Sequence, residues 1–466
     1  MYYVVNPRIK WRNEKEGLVI IDTGLIINKT GGCILDATKQ PVTFEEIIDI
    51  MKKTYNDVPV EMLKEDTRKC ITQFMKSNIL YEYNDKSQNV PYTYSTPYYL
   101  KYIKTLLNNV LKAPLGVACE LTNRCNVNCV HCCVSANDIN YKELSTETWK
   151  GIINQLAESE VFACTFTGGE ALLREDLLEL IQYATSLSLN TSILTNGKKL
   201  NEVYIDDLIE KGLKGLIISI DGTSEIHDKF RCSKGLFDHI VSIIPKIIKS
   251  KIGFGVVTVI NKSNINNIPQ LIKELDNLGV KNLSLAYYRL AGRGKLNDML
   301  APSPEDYKKV IRSVHNYIKI NKSDMNIKFP NLPVTYYIDA LGENEYWNLF
   351  KKGKIGLCGA GIVGAVITPD GNVKPCDMSG DTICGNVLKQ SFKEIWLNSK
   401  QMRELRKLNE FDLSPCNKCE YNSKHLCLTG CKSMPYQFDE KGNHLCKADY
   451  IRSDCYESSK MLPESV

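Results

Sequence analysis

From Leu115 to Tyr288 the chain alternates six times between a short apolar, β-branched run and a helix-length amphipathic stretch, and this alternation narrows the fold more than any other feature. The strand candidates are Leu115–Leu121, Val161–Thr167, Thr191–Thr195, Gly215–Ile220, Gly253–Ile260 and Asn282–Tyr288. Ser145 is placed to N-cap the first intervening helix, over Ser145–Glu158. Strands separated by helices pair in parallel. Six such units predict an α/β fold whose sheet curls into a partial (β/α)6 barrel, with functional groups at the C-terminal strand ends. A chain of 466 residues exceeds one hydrophobic core, so two or three domains are expected.

The first strand runs into Cys125-Asn-Val-Asn-Cys129-Val-His-Cys132. Thiolates select Zn, Cu(I) or iron–sulfur, and a [4Fe–4S] cluster normally takes four of them, so three on one loop leave an iron open. A zinc site more often shows paired CxxC or added histidines. The second strand ends in Thr167-Gly168-Gly169-Glu170, where two glycines admit a close backbone approach and a carboxylate can pair with an ammonium. The third ends in Thr195-Asn196-Gly197 and the fourth in Ser219-Ile-Asp221-Gly222, followed by Ile226-His227-Asp228-Lys-Phe-Arg231.

CxxxCxxC followed one βα unit later by Gly-Gly-Glu resembles the radical S-adenosylmethionine (SAM) superfamily. The resemblance implies a [4Fe–4S] cluster on Cys125, Cys129 and Cys132 whose open iron chelates the methionine part of SAM. It implies that Gly168, Gly169 and Glu170 take the amino group, and that Ser219 and Asp221 lie near the ribose and methionine portions. It further implies that Asn196, on a strand tip, faces the cluster, that Arg231 is a candidate for the SAM carboxylate, and that Val257, Asn261 and Leu283 to Tyr288 would flank the adenine. Where the family has glycine after the arginine, this chain has Cys232.

Half of the 18 cysteines fall between Cys358 and Cys455. In a long cytoplasmic chain such crowding reads as metal ligands or catalytic thiols rather than disulfides. The order is Cys358-x12-Gly371-x4-Cys376, then Cys416-x2-Cys419-x7-Cys427-x3-Cys431, then Cys446. The middle four alone fit a zinc ribbon as well as iron–sulfur. The full pattern resembles the SPASM domain, which holds auxiliary iron–sulfur clusters, with x7 where that domain has x5. The resemblance assigns Cys358, Cys376 and Cys431 to a first auxiliary cluster, and Cys416, Cys419, Cys427 and Cys446 to a second. The first has an open iron or is closed by Cys384 or Cys455. Asp377, directly after Cys376, resembles the aspartate that serves as base in sulfatase-maturing enzymes; on its own it is a turn carboxylate. Cys33, Cys70, Cys119 and Cys164 read as small core residues, and His131 as packing in the cluster loop.

Ahead of the barrel, short strands at Arg8–Arg12, Leu18–Ile21 and Leu25–Asn28 precede a helix opened by the capping box Thr43-Phe-Glu-Glu46, an amphipathic stretch from Val60 to Met75, and a closing strand over Ile79–Tyr83. This winged-helix-like α+β unit resembles the precursor-peptide recognition element, in which a sheet edge captures an extended leader by strand addition. The alternative is a DNA reader, using Lys52, Lys53 and Arg8-Ile-Lys10-Trp-Arg12. A net charge of +5 from 59 basic and 54 acidic residues is too balanced to argue for nucleic acid. No apolar run is long enough for a bilayer and the N-terminus lacks the form of a signal peptide, so a cytoplasmic location is expected.

The expected organisation is a recognition domain over 1–85, a linker over 86–113 with a helix at Tyr99–Leu111, the barrel over 114–320, a bridging segment over 321–357 and the SPASM domain over 358–466. Leu121-Thr-Asn-Arg-Cys125 and Cys358-Gly-Ala-Gly361 look most like the maturases that form sulfur-to-carbon thioether links, of the sactionine and ranthipeptide type. That implies SAM, three [4Fe–4S] clusters, a cysteine-containing precursor peptide with a leader, and an electron donor such as flavodoxin or ferredoxin, with no nucleic acid and no membrane. Other SPASM outcomes are a carbon–carbon crosslink, an epimerisation or a formylglycine-type oxidation. A different class is a non-catalytic electron carrier or DNA-binding regulator, for which a SAM amino site at Gly168-Gly169-Glu170 has no use.

Overall fold

The computed structural model describes residues 1–6, 9–14, 19–21, 25–84, 111–138, 143–330, 332–352, 354–356, 358–377, 379–380, 382–407, 436–438 and 444–446. It divides into two compact units, Met1–Lys112 and Ala113–Val466. The helix expected over Tyr99–Leu111 falls, save for its last residue, outside the described residues, as do Cys416, Cys419, Cys427, Cys431 and Cys455.

In the first unit β1 (Tyr2–Val5) is the middle strand of one antiparallel sheet, and β2 (Trp11–Asn13), β3 (Val19–Ile21) and β4 (Ile26–Ile27) form another. Helix α1 (Lys29–Ala37) leads to β5 (Val42–Thr43), then α2 (Phe44–Thr54), α3 (Val60–Lys76) and β6 (Leu80–Tyr83). The capping box at Thr43 forms as expected: the Glu46 N–H donates to Thr43 Oγ1 at 3.3 Å and the Thr43 N–H donates to Glu46 Oε2 at 2.7 Å. Helix α1 was not legible, because Gly31 and Gly32 depress helix propensity. Their use lies in packing, since a Cβ on Gly32 would stand 2.6 Å from Val19 Cγ2. Arg12, one of the cations of the DNA-reader alternative, is buried and donates to Glu14 at 2.6 Å, so it is not available to a phosphate.

The second unit is built on one sheet of eleven strands. The six expected strands are β7 (Gly116–Thr122), β8 (Ala163–Gly168), β9 (Asn190–Thr195), β10 (Gly215–Ser219), β11 (Gly253–Val259) and β12 (Asn282–Ala286), each parallel to the next. Alternation divides their faces. On β7, Val117, Cys119 and Leu121 join the core with Trp149, Ile152, Ile153 and Leu156 of the helix Thr146–Glu158, while Ala118 and Glu120 face the hollow of the sheet. Ser145 caps that helix through a bond from the Thr148 N–H. The sulfurs of Cys119 and Cys164 lie 3.4 Å apart in the core as free thiols.

The sheet extends beyond the six strands at both ends. The bridging segment supplies β13 (Asn326–Pro330) and β14 (Ile355–Gly356), parallel beside β12. From the cysteine-rich region, β15 (Gly364–Ile367) pairs in parallel with β7, and β16 (Asn372–Lys374) and β17 (Gly385–Asn386) follow it antiparallel. Runs of two to four residues carry too little periodicity to be recognised in sequence. The pair β18 (Tyr436–Phe438) and β19 (His444–Cys446) places Cys446 at the end of a hairpin strand. No described helix is long and apolar enough to cross a membrane.

Candidate active site

A cavity of about 380 Å³ opens at the C-terminal ends of the strands, and Cys125, Cys129 and Cys132 line it together with Thr167, Gly168, Gly169, Asn196, Ser219 and Arg231. The cysteine loop is fixed by its backbone. Asn137 accepts from the Cys125 N–H at 2.8 Å and donates to the Cys125 carbonyl at 3.1 Å. Arg293 donates from its N–H to the Cys132 carbonyl at 2.9 Å, from Nε to that of Cys129 at 3.0 Å and from Nη1 to that of Ala136 at 2.6 Å. The sequence offered no motif for Arg293; it stands out only once the fold brings the segment after β12 onto the loop. His131 stacks on Phe230 with ring centroids 4.0 Å apart, as the packing reading expected.

Each sulfur of the loop faces an N–H donor. Asn196 Nδ2 lies 3.8 Å from Cys125 Sγ, Arg231 Nη1 lies 3.8 Å from Cys129 Sγ, and the Ala136 N–H donates to Cys132 Sγ at 3.4 Å. Burial raises the Cys125 thiol and pushes Cys129 up to about 11 despite Arg231 nearby. Burial thus favours the neutral thiols, and a cationic group bound among them would favour the thiolates. Three soft sulfurs on a loop supplied with N–H donors fit an iron–sulfur cluster.

The Gly-Gly-Glu turn is used differently from the expectation. Gly168 has φ of +129°, and a Cβ on Gly168 or Gly169 would meet the carbonyl oxygens of Thr122 or Arg124 at 2.3 Å. The Gly169 and Glu170 N–H groups donate to those same carbonyls at 2.7 and 2.8 Å, so the turn locks onto the root of the cysteine loop. Glu170 does not face the cavity. Its carboxylate is buried and accepts from Thr195 Oγ1 and the Asn196 N–H at 2.8 Å and from the Leu172 N–H at 3.1 Å, which leaves the glycine backbone as the part of the motif that lines the hollow.

Asp221 is likewise turned inward. It is fully buried, pairs with Arg231 Nε at 2.6 Å and accepts from the Val259 N–H at 2.7 Å. Burial alone would raise its pKa, but the adjacent Arg231 charge outweighs it and holds the carboxyl below its usual range. Ser219 and Arg231 do reach the cavity, as do Val257, Val259 and Ala286. Asn261 and Tyr288, expected beside adenine, do structural work instead. Asn261 is bonded within its own turn, and the Tyr288 hydroxyl donates to the Asn297 carbonyl at 3.0 Å. Cys232, in place of glycine, adopts the left-handed C-cap conformation with φ 51° and ψ 44°.

Glu120, Cys133, Arg289 and Asp377 also line the cavity. Arg289 donates to the Asp377 carboxylate and lies 3.8 Å from Cys133 Sγ. Asp377 is thus held in an ion pair with Arg289. Glu120 was missed in sequence, although its place on the inward face of β7 is a period-two signal. Burial, reinforced by Asp377, raises its pKa to about 7.

Farther along, Cys358 and Cys376 pack together with Ala360 and Leu405. Cys384 lies in the main core, hydrogen-bonded to Ser399, and burial pushes it up to about 12. That placement argues against Cys384 as the ligand completing a cluster with Cys358 and Cys376.

The Radical SAM superfamily family model matches residues 119–275, and the iron-sulfur cluster-binding SPASM model matches residues 358–420. An AdoMet-dependent heme synthase of Methanosarcina barkeri is 30% identical over 357 residues, covering 74% of this chain and 96% of that protein. The chain belongs to the radical SAM superfamily. The PqqA peptide cyclase of Rhizobium meliloti is 29% identical over 329 residues, or 68% of this radical SAM chain and 82% of the cyclase. Among solved structures, Streptococcus suis SuiB bound to precursor peptide SuiA superposes with a TM-score of 0.66 at 19% identity, covering 95% of this chain and 100% of that one; it shares the fold. As a radical SAM enzyme with a SPASM domain, the protein uses SAM and [4Fe–4S] clusters.

Proposed function

We infer that this radical SAM enzyme matures a ribosomally made, cysteine-containing peptide by forming intramolecular thioether links. The observation that carries the reading is that one cavity is lined both by the cysteine loop with its SAM-side residues and by Glu120 with the Arg289–Asp377 ion pair. A peptide substrate is supported by the reach of the likenesses. The match to peptide-bound SuiB covers 95% of the chain, so it takes in the N-terminal unit, whereas the heme synthase match covers 74%. In this reading the unit over 1–85 binds a leader by strand addition.

Cys125, Cys129 and Cys132 would hold the SAM-binding cluster. Cys358, Cys376 and Cys431 would hold a first auxiliary cluster, and Cys416, Cys419, Cys427 and Cys446 a second. With an electron from a flavodoxin or ferredoxin, the SAM-binding cluster and SAM supply reductive cleavage and hydrogen abstraction. The chain's own part is placement. Gly168 and Gly169 offer backbone to the methionine end, Arg231 a guanidinium, Ser219 a hydroxyl and Asn196 an amide, while Glu170 and Asp221 hold the strand tips that carry them. Val257, Val259 and Ala286 give that side an apolar wall that excludes water.

Co-expression with a short, cysteine-encoding precursor reading frame sought in the gene's neighbourhood, followed by mass spectrometry, tests this. The expected product has lost two hydrogens per crosslink and has thiols that no longer alkylate. Unmodified thiols beside consumed SAM would refute it. Iron and sulfide analysis of anaerobically purified protein is expected to give about twelve irons per chain, and stoichiometric zinc would overturn the auxiliary-cluster assignment.

A further inference from the structure

We propose that Glu120 is the proton acceptor on the substrate side of the cavity: its carboxylate takes the proton of the peptide thiol that is about to bond, leaving a thiolate and a neutral carboxylic acid. This rests on the thioether reading above.

Position comes first. Glu120 is paired in register with Thr167 on β8, and Ala118 with Thr165, and all four line the cavity. The side chain is therefore aimed by strand alternation in the centre of the sheet, not carried on a loop. It lies on the same hollow as the cysteine loop yet outside the set of groups that face the loop sulfurs. A substrate held against the SAM side would extend across it.

Second, Glu120 is the carboxylate of this region that the protein leaves unengaged. Glu170 accepts three hydrogen bonds, Asp221 is paired with Arg231, and Asp377 is paired with Arg289. Asp370 accepts from Thr368 and from Asn372. Among the described residues no side-chain hydrogen bond reaches Glu120, although it is half-buried. A carboxylate withdrawn from water without a donor is poised for a ligand that brings one.

Third, the charges around it set a useful basicity. Asp377 and Asp370 oppose its ionisation, and Lys374 and Arg289 favour it. Cys133 on the cluster loop lines the same hollow as a thiol that burial keeps protonated, and Cys119, beside Glu120 on the strand but turned into the core, is kept protonated by Cys164 and by burial. Thr167 on β8 brings no charge. Burial is the largest influence, and the outcome is a pKa of about 7. An unperturbed thiol near 8.5 would give its proton to an ordinary glutamate at a cost of roughly 10⁴ in equilibrium. Against a group near 7 the cost is about 30-fold, within what a positioned base supplies.

The test uses the holoenzyme, the full precursor peptide, and the Glu120→Gln and Glu120→Asp variants. Crosslinks formed per 5′-deoxyadenosine are measured from about pH 6 to about pH 9. The expected result for E120Q is a fall of roughly 10²-fold in that ratio and loss of the limb that rises through about pH 7, with partial recovery in E120D. Iron content and SAM binding report whether each variant keeps its fold. As a readout independent of turnover, infrared difference titration of the full chain is expected to show a protonated-carboxyl band with a midpoint of about 7 that E120Q removes. An E120Q enzyme that crosslinks at the wild-type ratio with an unchanged pH profile overturns the assignment, as does a band that E120Q leaves in place. A wild-type enzyme that cleaves SAM but leaves the peptide thiols untouched removes the thioether reading itself, a separate outcome.

Discussion

Arg231 holds Asp221 at 2.6 Å through Nε while its Nη1 lies 3.8 Å from Cys129 Sγ, so one guanidinium ties the tip of β10 to the cysteine loop. Removing one partner of a buried pair leaves an uncompensated charge and costs about 3–5 kcal/mol. Asp221→Asn is expected to destabilise the second unit by that amount at pH 7, measured by denaturant unfolding. The sign with pH follows from its lowered pKa. The stability Asp221 contributes is present above the unfolded-state value of about 3.9 and is lost as pH falls through the folded value. The gap between wild type and D221N therefore narrows in acid.

Gly169 separates space from propensity. A Cβ there would meet three backbone atoms, Arg124 O at 2.3 Å, Arg124 C at 2.7 Å and Asn123 O at 2.8 Å, none of which can swing aside. Gly169→Ala is expected to displace the root of the cysteine loop, lowering iron content after reconstitution and costing about 1–3 kcal/mol. Gly151, inside the helix Thr146–Glu158 with nothing within 4 Å, is the control. Gly151→Ala should stabilise by about 0.5–1 kcal/mol.

Cys232→Gly is expected to stabilise by about 1 kcal/mol, because the left-handed C-cap is strained for any residue with a Cβ. Cys232→Ala keeps the Cβ and should give no such gain, so comparing the two melting temperatures separates backbone strain from loss of the thiol.

Arg293→Met removes donors from the carbonyls of Cys129 and Ala136 while retaining the N–H bond to Cys132. Each orphaned carbonyl costs about 1–3 kcal/mol if it stays dry. The variant is expected to lose iron to a chelator faster than wild type, and Arg293→Lys, which can reach one carbonyl, should fall between them.

What could be read in advance follows from how each residue signals. Strands β7 to β12 are long enough to show their period, and Thr43 and Ser145 are caps with a local partner three residues on, so both kinds were legible. The motif residues were located correctly on the strand tips, but sequence does not tell which way a carboxylate turns. Glu170 and Asp221 face inward because N–H groups and a guanidinium from distant segments converge on them. Arg289 and Arg293 belong to no spacing pattern; they matter because the chain returns to the cysteine loop more than 150 residues later. Strand β1 was overlooked because its partners, β5 and β6, lie about 40 and 80 residues downstream.

The pairing of Gly116 with Gly364 bears on how the chain is made. The first strand of the barrel acquires its outer neighbour only after about 250 further residues have been synthesised, a wait of roughly 12–50 s at ordinary elongation rates. Until then β7 is an open edge with unsatisfied N–H and C=O groups, the kind of surface that recruits strands from other chains. Translation of the cysteine-rich region is therefore also the step that covers the β7 edge, and a chain stopped before residue 364 would leave the ribosome with that edge bare.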